Sequence, residues 1–312
     1  MHDMAIKQEP ETPASNEQRR AKGYGYGIAL MLISEVCWVT MNAMIKHLSD
    51  SYPALQLLFF RNAVTVPVMI WLVMLTGGYS VLRTHRARLH LLHALIGVTG
   101  MTCLIVSVSR LSLSDTVTIT YAAPLFITAL SVPFLNEKVG FRRWAAVLVG
   151  FAGVLIVARP DIGINPVILI LLGGTLCFAS TVIIRRHLSR TENSAAVTLY
   201  YSIAGTCAGG LALPWVWVAP TAFDWMILLV MGVIAALTQI TLTMAIKEAP
   251  VSVLSPLLYL TLAVAVGGDI IVWGVYPALT TMVGAGGIIF AGLYIIYRES
   301  GLGSHHPRDE GS

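Results

Sequence analysis

Charged residues are scarce in this sequence, and their scarcity excludes most soluble folds. Only 12% of the 312 residues are charged, whereas 56% are hydrophobic. The apolar residues form long blocks, several of which reach the roughly 20 residues that span the hydrocarbon core of a bilayer. The net charge of +4 is spread over short loops, so no nucleic-acid-binding face is expected. The composition predicts an all-α integral membrane protein whose surroundings are the lipid bilayer.

Motifs for catalysis, nucleotide binding and metal binding are also missing. The sequence has no His-Glu-x-x-His, no Gly-x-x-x-x-Gly-Lys-Ser/Thr loop and no nucleophile turn. Its four cysteines lie singly inside apolar blocks and are expected to be small buried hydrophobes. We therefore expect no cofactor, no metal and no enzymatic activity. A polytopic membrane enzyme that acts on a lipid or an intramembrane substrate is the alternative.

Ten apolar segments predict ten transmembrane helices. Their ranges are 24–46, 53–76, 89–109, 113–135, 141–158, 164–184, 195–218, 225–246, 251–273 and 277–297. Five prolines inside the segments predict kinks at residues 67, 124, 133, 214 and 256. Residues 1–22 are expected to form a disordered cytoplasmic tail, and residues 299–312 a polar C-terminal tail.

The distribution of Lys and Arg predicts the orientation. With the N-terminus in the cytoplasm, sixteen of these residues fall on the cytoplasmic side and three on the other side. Such a bias places both termini in the cytoplasm and requires an even number of helices.

The two halves of the chain repeat one another at an offset of about 140 residues. CWVTMNAMIKHLS (37–49) aligns with CFASTVIIRRHLS (177–189), and FAGVLIVAR (151–159) aligns with FAGLYIIYR (290–298). Five helices per copy is an odd number, so the second copy must enter from the opposite side. We expect two inverted five-helix repeats, at 23–160 and 161–298. Inverted repeats are typical of secondary transporters, whose site lies near the membrane midplane.

The sequence resembles the EamA-type drug/metabolite transporter superfamily over residues 24–298. The matching residues are Pro53, Arg61, Pro124 and Glu137, with the Gly-Phe-Ala-Gly run at 150–153. The resemblance implies a ten-helix bundle with a central cavity, in a bacterial inner membrane. Among members of the superfamily the chain is similar to the YddG-type amino-acid exporters. A second-half counterpart of Glu137 is missing, which favours a one-sided structural role for Glu137.

Two ionisable residues are predicted to lie well inside the membrane. Glu35 is near the midplane of the first helix, and Arg61 is about two turns inside the second. Such charges are functional or paired. A substrate or proton contact is one interpretation, and an ion pair of Glu35 with Arg61 is the other. The pair, with facilitated transport, is slightly favoured.

Polar and aromatic side chains at helical spacing predict the lining of a cavity. Trp38 and Asn42 share the face of Glu35. The fourth helix contributes Tyr121 and Thr128, the eighth Gln239, and the ninth Ser255 and Tyr259. Tyr121 and Tyr259 are near-equivalent under the repeat. The alternatives are interhelical hydrogen bonds and ordinary packing.

These features predict a secondary transporter of small organic metabolites, with amino acids as the expected substrates. The expected activity is export or facilitated exchange by alternating access across the inner membrane. The expected partners are a small-molecule substrate and the lipid bilayer. The sequence does not fix the oligomeric state, the coupling ion or the direction of transport.

The orientation can be tested with reporter fusions. Fusions at Asp50, Asp161 and Asp224 should report the outer face, and fusions at Arg86 and Arg190 should report the cytoplasm. A consistent reversal would contradict the charge-based orientation, and an odd number of crossings would contradict the ten-helix count.

Overall fold

The computed structural model of the chain consists of packed α-helices. It describes residues 13–76, 78, 82–84, 86–135, 141–158, 165–188, 192–248, 257 and 260–302. Within these residues there are eleven helices and no strand. They are α1 (Pro13–Leu48), α2 (Ala54–Thr76), α3 (Ala87–Val108), α4 (Leu113–Thr120), α5 (Ala123–Leu135), α6 (Phe141–Ala158), α7 (Pro166–Leu188), α8 (Ser194–Val216), α9 (Ala222–Glu248), α10 (Leu260–Trp273) and α11 (Leu279–Leu302).

Each predicted segment overlaps at least one described helix, but the tails differ from expectation. α1 begins at Pro13, so residues 13–22, which were predicted to belong to a disordered tail, are helical in the structure. This stretch is rich in Glu, Gln, Arg, Ala and Lys, which favour a helix and can extend one that the apolar segment has nucleated. α11 likewise runs on to Leu302, four residues into the predicted C-terminal tail. Residues 1–12 and 303–312 lie outside the described residues.

The fourth predicted helix is broken in two, where only a kink was expected. α4 ends at Thr120, Tyr121 and Ala122 form a turn, and α5 starts at Ala123. Pro124 has no N–H for the Thr120 carbonyl, and proline is best accommodated in the first turn of a helix. The chain therefore starts a new helix at this point. Pro67, Pro133 and Pro214 stay within continuous helices.

The surface of the bundle is strongly apolar, as lipid contact requires. Large side chains such as Trp71, Trp215 and Ile271 are 64%, 82% and 83% exposed. Within the described residues, seven helical spans are long and apolar enough to cross a membrane, and three further apolar helices are shorter. Soluble monomers rarely expose apolar surface on this scale.

Helices from the first half pack mainly against helices from the second half. α1 packs on α9, α2 on α8, α3 on α7 and α6 on α11. If each helix is replaced by its counterpart in the other predicted repeat, the α1–α9 contact becomes the α7–α3 contact. The α2–α8 and α6–α11 contacts are then unchanged, because each joins two counterparts. The pairing thus has the pattern expected of two equivalent halves, while the inversion stays a prediction.

Glycines allow these cross-half helices to approach closely. A Cβ at Gly209 on α8 would lie 2.8 Å from Phe59 on α2, and a Cβ at Gly153 on α6 would lie 2.7 Å from the Gly284 carbonyl oxygen on α11. The small residues at positions 205 and 209 therefore serve helix packing. The four cysteines are free thiols, and Cys207 is exposed, which corrects its expected burial.

Hydrogen bonds between polar side chains connect the loops at both ends of the bundle. We call the end that holds residues 46–56, 110–115, 216–225 and 273–278 the outer end, following the predicted orientation. There the Tyr52 hydroxyl donates to Asp224 Oδ2 at 2.6 Å, which raises the pKa of Tyr52. At the opposite, inner end, the Thr84 hydroxyl donates to Glu192 Oε1 at 2.8 Å, and His90 Nε2 lies 3.7 Å from Glu192 Oε2.

Candidate functional site

Glu35 contacts the second half of the chain. The Thr261 hydroxyl on α10 donates a hydrogen bond of 2.5 Å to Glu35 Oε2, and Thr261 is fully buried while Glu35 is half-buried. Thr261 was not anticipated from the sequence, because nothing in a lone threonine within an apolar helix marks it as the partner of a carboxylate.

The predicted ion pair of Glu35 with Arg61 is wrong. Arg61 faces Met41, with Nε 3.4 Å from the Met41 sulfur. Met41 follows Glu35 by six residues, which is about 9 Å along the helix and about 240° around it. That separation exceeds the reach of a salt bridge. Spacing along the chain placed both residues inside apolar segments, but it did not reveal that Arg61 meets α1 at Met41, six residues beyond Glu35.

The Arg61 guanidinium is buried without a neutralising acid. The residue is 8% exposed, and its other contact is from Nη1 to Asn62 Oδ1 at 3.4 Å. Among the residues that the structure describes, no carboxylate lies within salt-bridge distance of it. A thioether and an amide are weak acceptors for a cation. Arg61 therefore has unused capacity to bind an anion.

Asn42 has an unused hydrogen-bond acceptor. Its Nδ2 donates to the Trp38 carbonyl at 2.8 Å, but its Oδ1 has no partner in the described part of the chain. The residue is only 1% exposed. A buried polar atom without a partner is costly and is expected where a ligand or a water supplies the missing bond.

Trp38 and Tyr121 meet at one cluster between α1, α4 and α10. Both pack against a buried group of apolar residues formed by Val39, Leu113, Val117 and Ala265. Tyr121 is the residue at which α4 ends, so the helix break lies beside Trp38. Broken helices near the midplane are where transporters bind their substrates, because their free backbone groups line a cavity.

The remaining predicted residues are less closely associated with this junction. Thr128 is buried on α5, where its hydroxyl donates to the Pro124 carbonyl at 2.9 Å. Gln239 is half-buried on α9, next to Thr238, whose carbonyl accepts from Ser34 at 3.1 Å. Ser255, Tyr259 and Glu137 lie outside the described residues. The structure brings Glu35, Trp38 and Tyr121 to one junction, and their contact with a substrate stays a prediction.

A second buried carboxylate belongs to Asp269, which the sequence analysis overlooked. Asp269 is 0% exposed, and its Oδ1 lies 3.1 Å from Lys46 Nζ on α1. The backbone N–H groups of Leu113 and Ser114 donate to Oδ1 at 3.0 Å and to Oδ2 at 2.7 Å. The signal was present, because an Asp inside the apolar run Leu260–Trp273 is as costly as Glu35.

The sequence and the fold of this chain match those of known proteins. A family model described as the EamA-like transporter family matches residues 25–159 and again residues 165–298. A protein of known crystal structure matches with a TM-score of 0.62 at 16% identity, over 91% of this chain and 99% of that one, and therefore shares the fold.

Three curated relatives match over most of their own length. The S-adenosylmethionine uptake transporter of Rickettsia bellii is 29% identical over 89% of this chain and 96% of that protein. The pseudopaline exporter CntI of Pseudomonas aeruginosa is 25% identical over 84% and 92%. The riboflavin transporter of Rhizobium johnstonii is 27% identical over 88% and 89%.

Asn42 and Asn62 form a matched pair that tests the site. Both are 1% exposed, and both donate to the carbonyl four residues earlier at 2.8 Å. Asn62→Leu should lower the free energy of unfolding by about 1–3 kcal/mol, because Arg61 loses its amide contact. Asn42→Leu should leave it within about 0.5 kcal/mol, because the orphaned oxygen is removed. The measurement is the thermal denaturation of each purified variant in detergent.

An Asn42→Leu variant that is destabilised as much as Asn62→Leu would contradict this assignment. Asn42 would then be a structural residue, and its orphaned oxygen would not mark a binding site.

Proposed function

The chain belongs to the EamA-like transporter family, and we propose that it carries zwitterionic small metabolites by alternating access at the junction of α1, α4 and α10. It is a multi-pass membrane transporter of small metabolites and not an enzyme, since the family and the matched relatives are transporters. The alternative of a membrane enzyme is therefore dropped. Amino acids and their derivatives are the proposed substrate class.

The observation that carries this proposal is the separation of Glu35 from Arg61. Each is withdrawn from water, and neither has an oppositely charged partner among the described residues. A zwitterion whose charged groups can reach across this separation would satisfy both, with its cationic group toward Glu35 and its carboxylate toward Arg61. Trp38 can pack on an aromatic or cationic part of the substrate, and Asn42 Oδ1 can accept from an N–H group.

The three matched relatives are named for three different substrates. S-adenosylmethionine is a methionine derivative with a carboxylate and two cationic groups, which fits the two charges of this site. Riboflavin has neither an amine nor a carboxylate and does not fit them. One relative is named for uptake and another for export, so the direction is not shared across the matches. For this chain we propose export or exchange, driven by gradients because no nucleotide-binding loop is present.

The proposed architecture is two inverted five-helix repeats, at 23–160 and 161–298, with both termini in the cytoplasm. The double match of the family model and the cross-half pairing of helices support it. The structure also places Arg83, Arg86 and Arg88 at the same end as the inner end of α7. We propose the bacterial inner membrane as the location, because outer membranes hold β-barrels.

Counterflow in proteoliposomes tests the substrate class. Vesicles preloaded with unlabelled compound should accumulate labelled amino acids or S-adenosylmethionine, but not labelled riboflavin. Arg61→Gln should reduce the rate by about 10- to 100-fold, since a charge-assisted contact to the carboxylate is lost. Arg110→Gln is the control, because Arg110 is exposed at the outer end and should leave the rate unchanged.

Preferential transport of riboflavin, or an Arg61→Gln protein that is folded and fully active, would contradict the zwitterion proposal.

Glu35→Gln tests whether Glu35 also carries a proton. With the ion pair excluded, Glu35 can bind and release a proton without breaking a salt bridge. We expect the variant to keep substrate exchange and to lose the acceleration that an imposed pH gradient gives the parent protein. Glu248→Gln, an exposed acid at the end of α9, should keep that acceleration. A stable Glu35→Gln protein with an undiminished pH response would exclude the coupling role.

A further inference from the structure

We infer that Asp269 is the latch of a gate at the outer end of the proposed site, and that α4 is the part of the gate that moves. This inference rests on the proposed alternating access, which requires the outer end to open in one state and to close in another.

The Asp269 carboxylate joins three helices at one point. It extends from α10, binds Lys46 of α1 and accepts from the first two backbone N–H groups of α4. Lys46 Nζ also lies 4.5 Å from the centre of the Trp273 ring. Every one of these contacts crosses between helices, so the outer ends of α1, α4 and α10 cannot separate while they persist.

α4 is suited to move as a unit. It has only eight residues, and the turn at Tyr121 and Ala122 uncouples it from α5. Its N-terminal N–H groups carry partial positive charge, which is why a carboxylate holds them well. Leu113 and Val117 cover Trp38 and Tyr121 in one buried cluster. Displacing α4 would therefore open a path from the outer end to the site.

The latch requires a side chain that has two acceptor oxygens. Both of its oxygens face hydrogen-bond donors, and the amide of Asn would place an N–H group against one of them. Asp269→Asn should therefore weaken the latch strongly. Lys46→Gln should weaken it less, because the two backbone bonds to α4 remain.

A cysteine placed at a buried position of α4 provides the test. The background is the full chain with its four cysteines replaced, carrying Val117→Cys at a position that is 0% exposed. A water-soluble maleimide is applied to the purified protein in nanodiscs. Asp269→Asn should raise the labelling rate about tenfold, and Lys46→Gln about threefold. A second reporter, Val73→Cys, is 0% exposed near the inner end of α2 and should stay protected in every variant.

Asp115→Asn is the matched control. Asp115 lies on α4 and accepts from the Thr281 hydroxyl of α11 at 2.5 Å, and an Asn can still accept that bond. Labelling at Val117→Cys should therefore stay at the parent rate.

Two results would overturn the latch. One is an Asp269→Asn protein that is folded and labels at the parent rate. The other is an equal rise at both reporters, which would make Asp269 a general structural anchor. If Asp269→Asn fails to fold, the Lys46→Gln variant is the test. An unchanged labelling rate at Val117→Cys in that variant also overturns the latch. Labelling needs no substrate, so a failed substrate panel and a failed latch are separate outcomes.

Discussion

A bilayer offers no water to backbone groups, and this constraint shapes the centre of the molecule. The interior of a helix satisfies its own amides, but the N–H groups of its first turn have no acceptor within the helix. α4 begins at Leu113 and is only two turns long, so these groups are a large share of it. Asp269 supplies an acceptor from α10, and Lys46 balances its charge. Without that carboxylate, the buried N–H groups of Leu113 and Ser114 would lose this acceptor.

The rest of the bundle is held in a different way. α2 against α8 and α6 against α11 approach so closely that a single Cβ at Gly209 or Gly153 would collide with the neighbouring helix. Contacts of this kind are cumulative van der Waals contacts, and they resist separation along their whole length. α4 is short, and its outer end is additionally held by polar bonds to Asp269 beside the apolar contacts of Leu113, Val117 and Ile119. Under the proposed latch, motion would be concentrated in α4, while the cross-half pairs would stay in place.

The sequence predicted the helices well, because long apolar blocks and prolines are local signals. The position of the break followed from Pro124, although a kink was expected there. The partners of the buried charges were not predictable in the same way. Spacing along α1 predicted the depth of Glu35, but whether it meets Arg61 or Thr261 depends on how α2 and α10 are rotated about their axes. Hydrophobic periodicity does not fix that rotation when a helix is apolar on all sides. Asp269 was not predicted because its partners, the first amides of α4 and Lys46 of α1, are more than 150 residues away in the sequence and give no signal within its own segment.

The two ends of the bundle are equivalent in position and different in chemistry. At the outer end Tyr52 is hydrogen-bonded to Asp224, and at the inner end Glu192 accepts from Thr84 and lies close to His90. These loops correspond under the predicted repeat. A strictly symmetric protein would hold both ends equally, and neither orientation would be favoured. Here the outer end carries an additional anchor at Asp269, while at the inner end His90 Nε2 lies 3.7 Å from Glu192 Oε2. Under the proposed alternating access, the balance between the two open states would be set by a few polar side chains at the ends, since the apolar cross-half contacts pair equivalent helices and favour neither state.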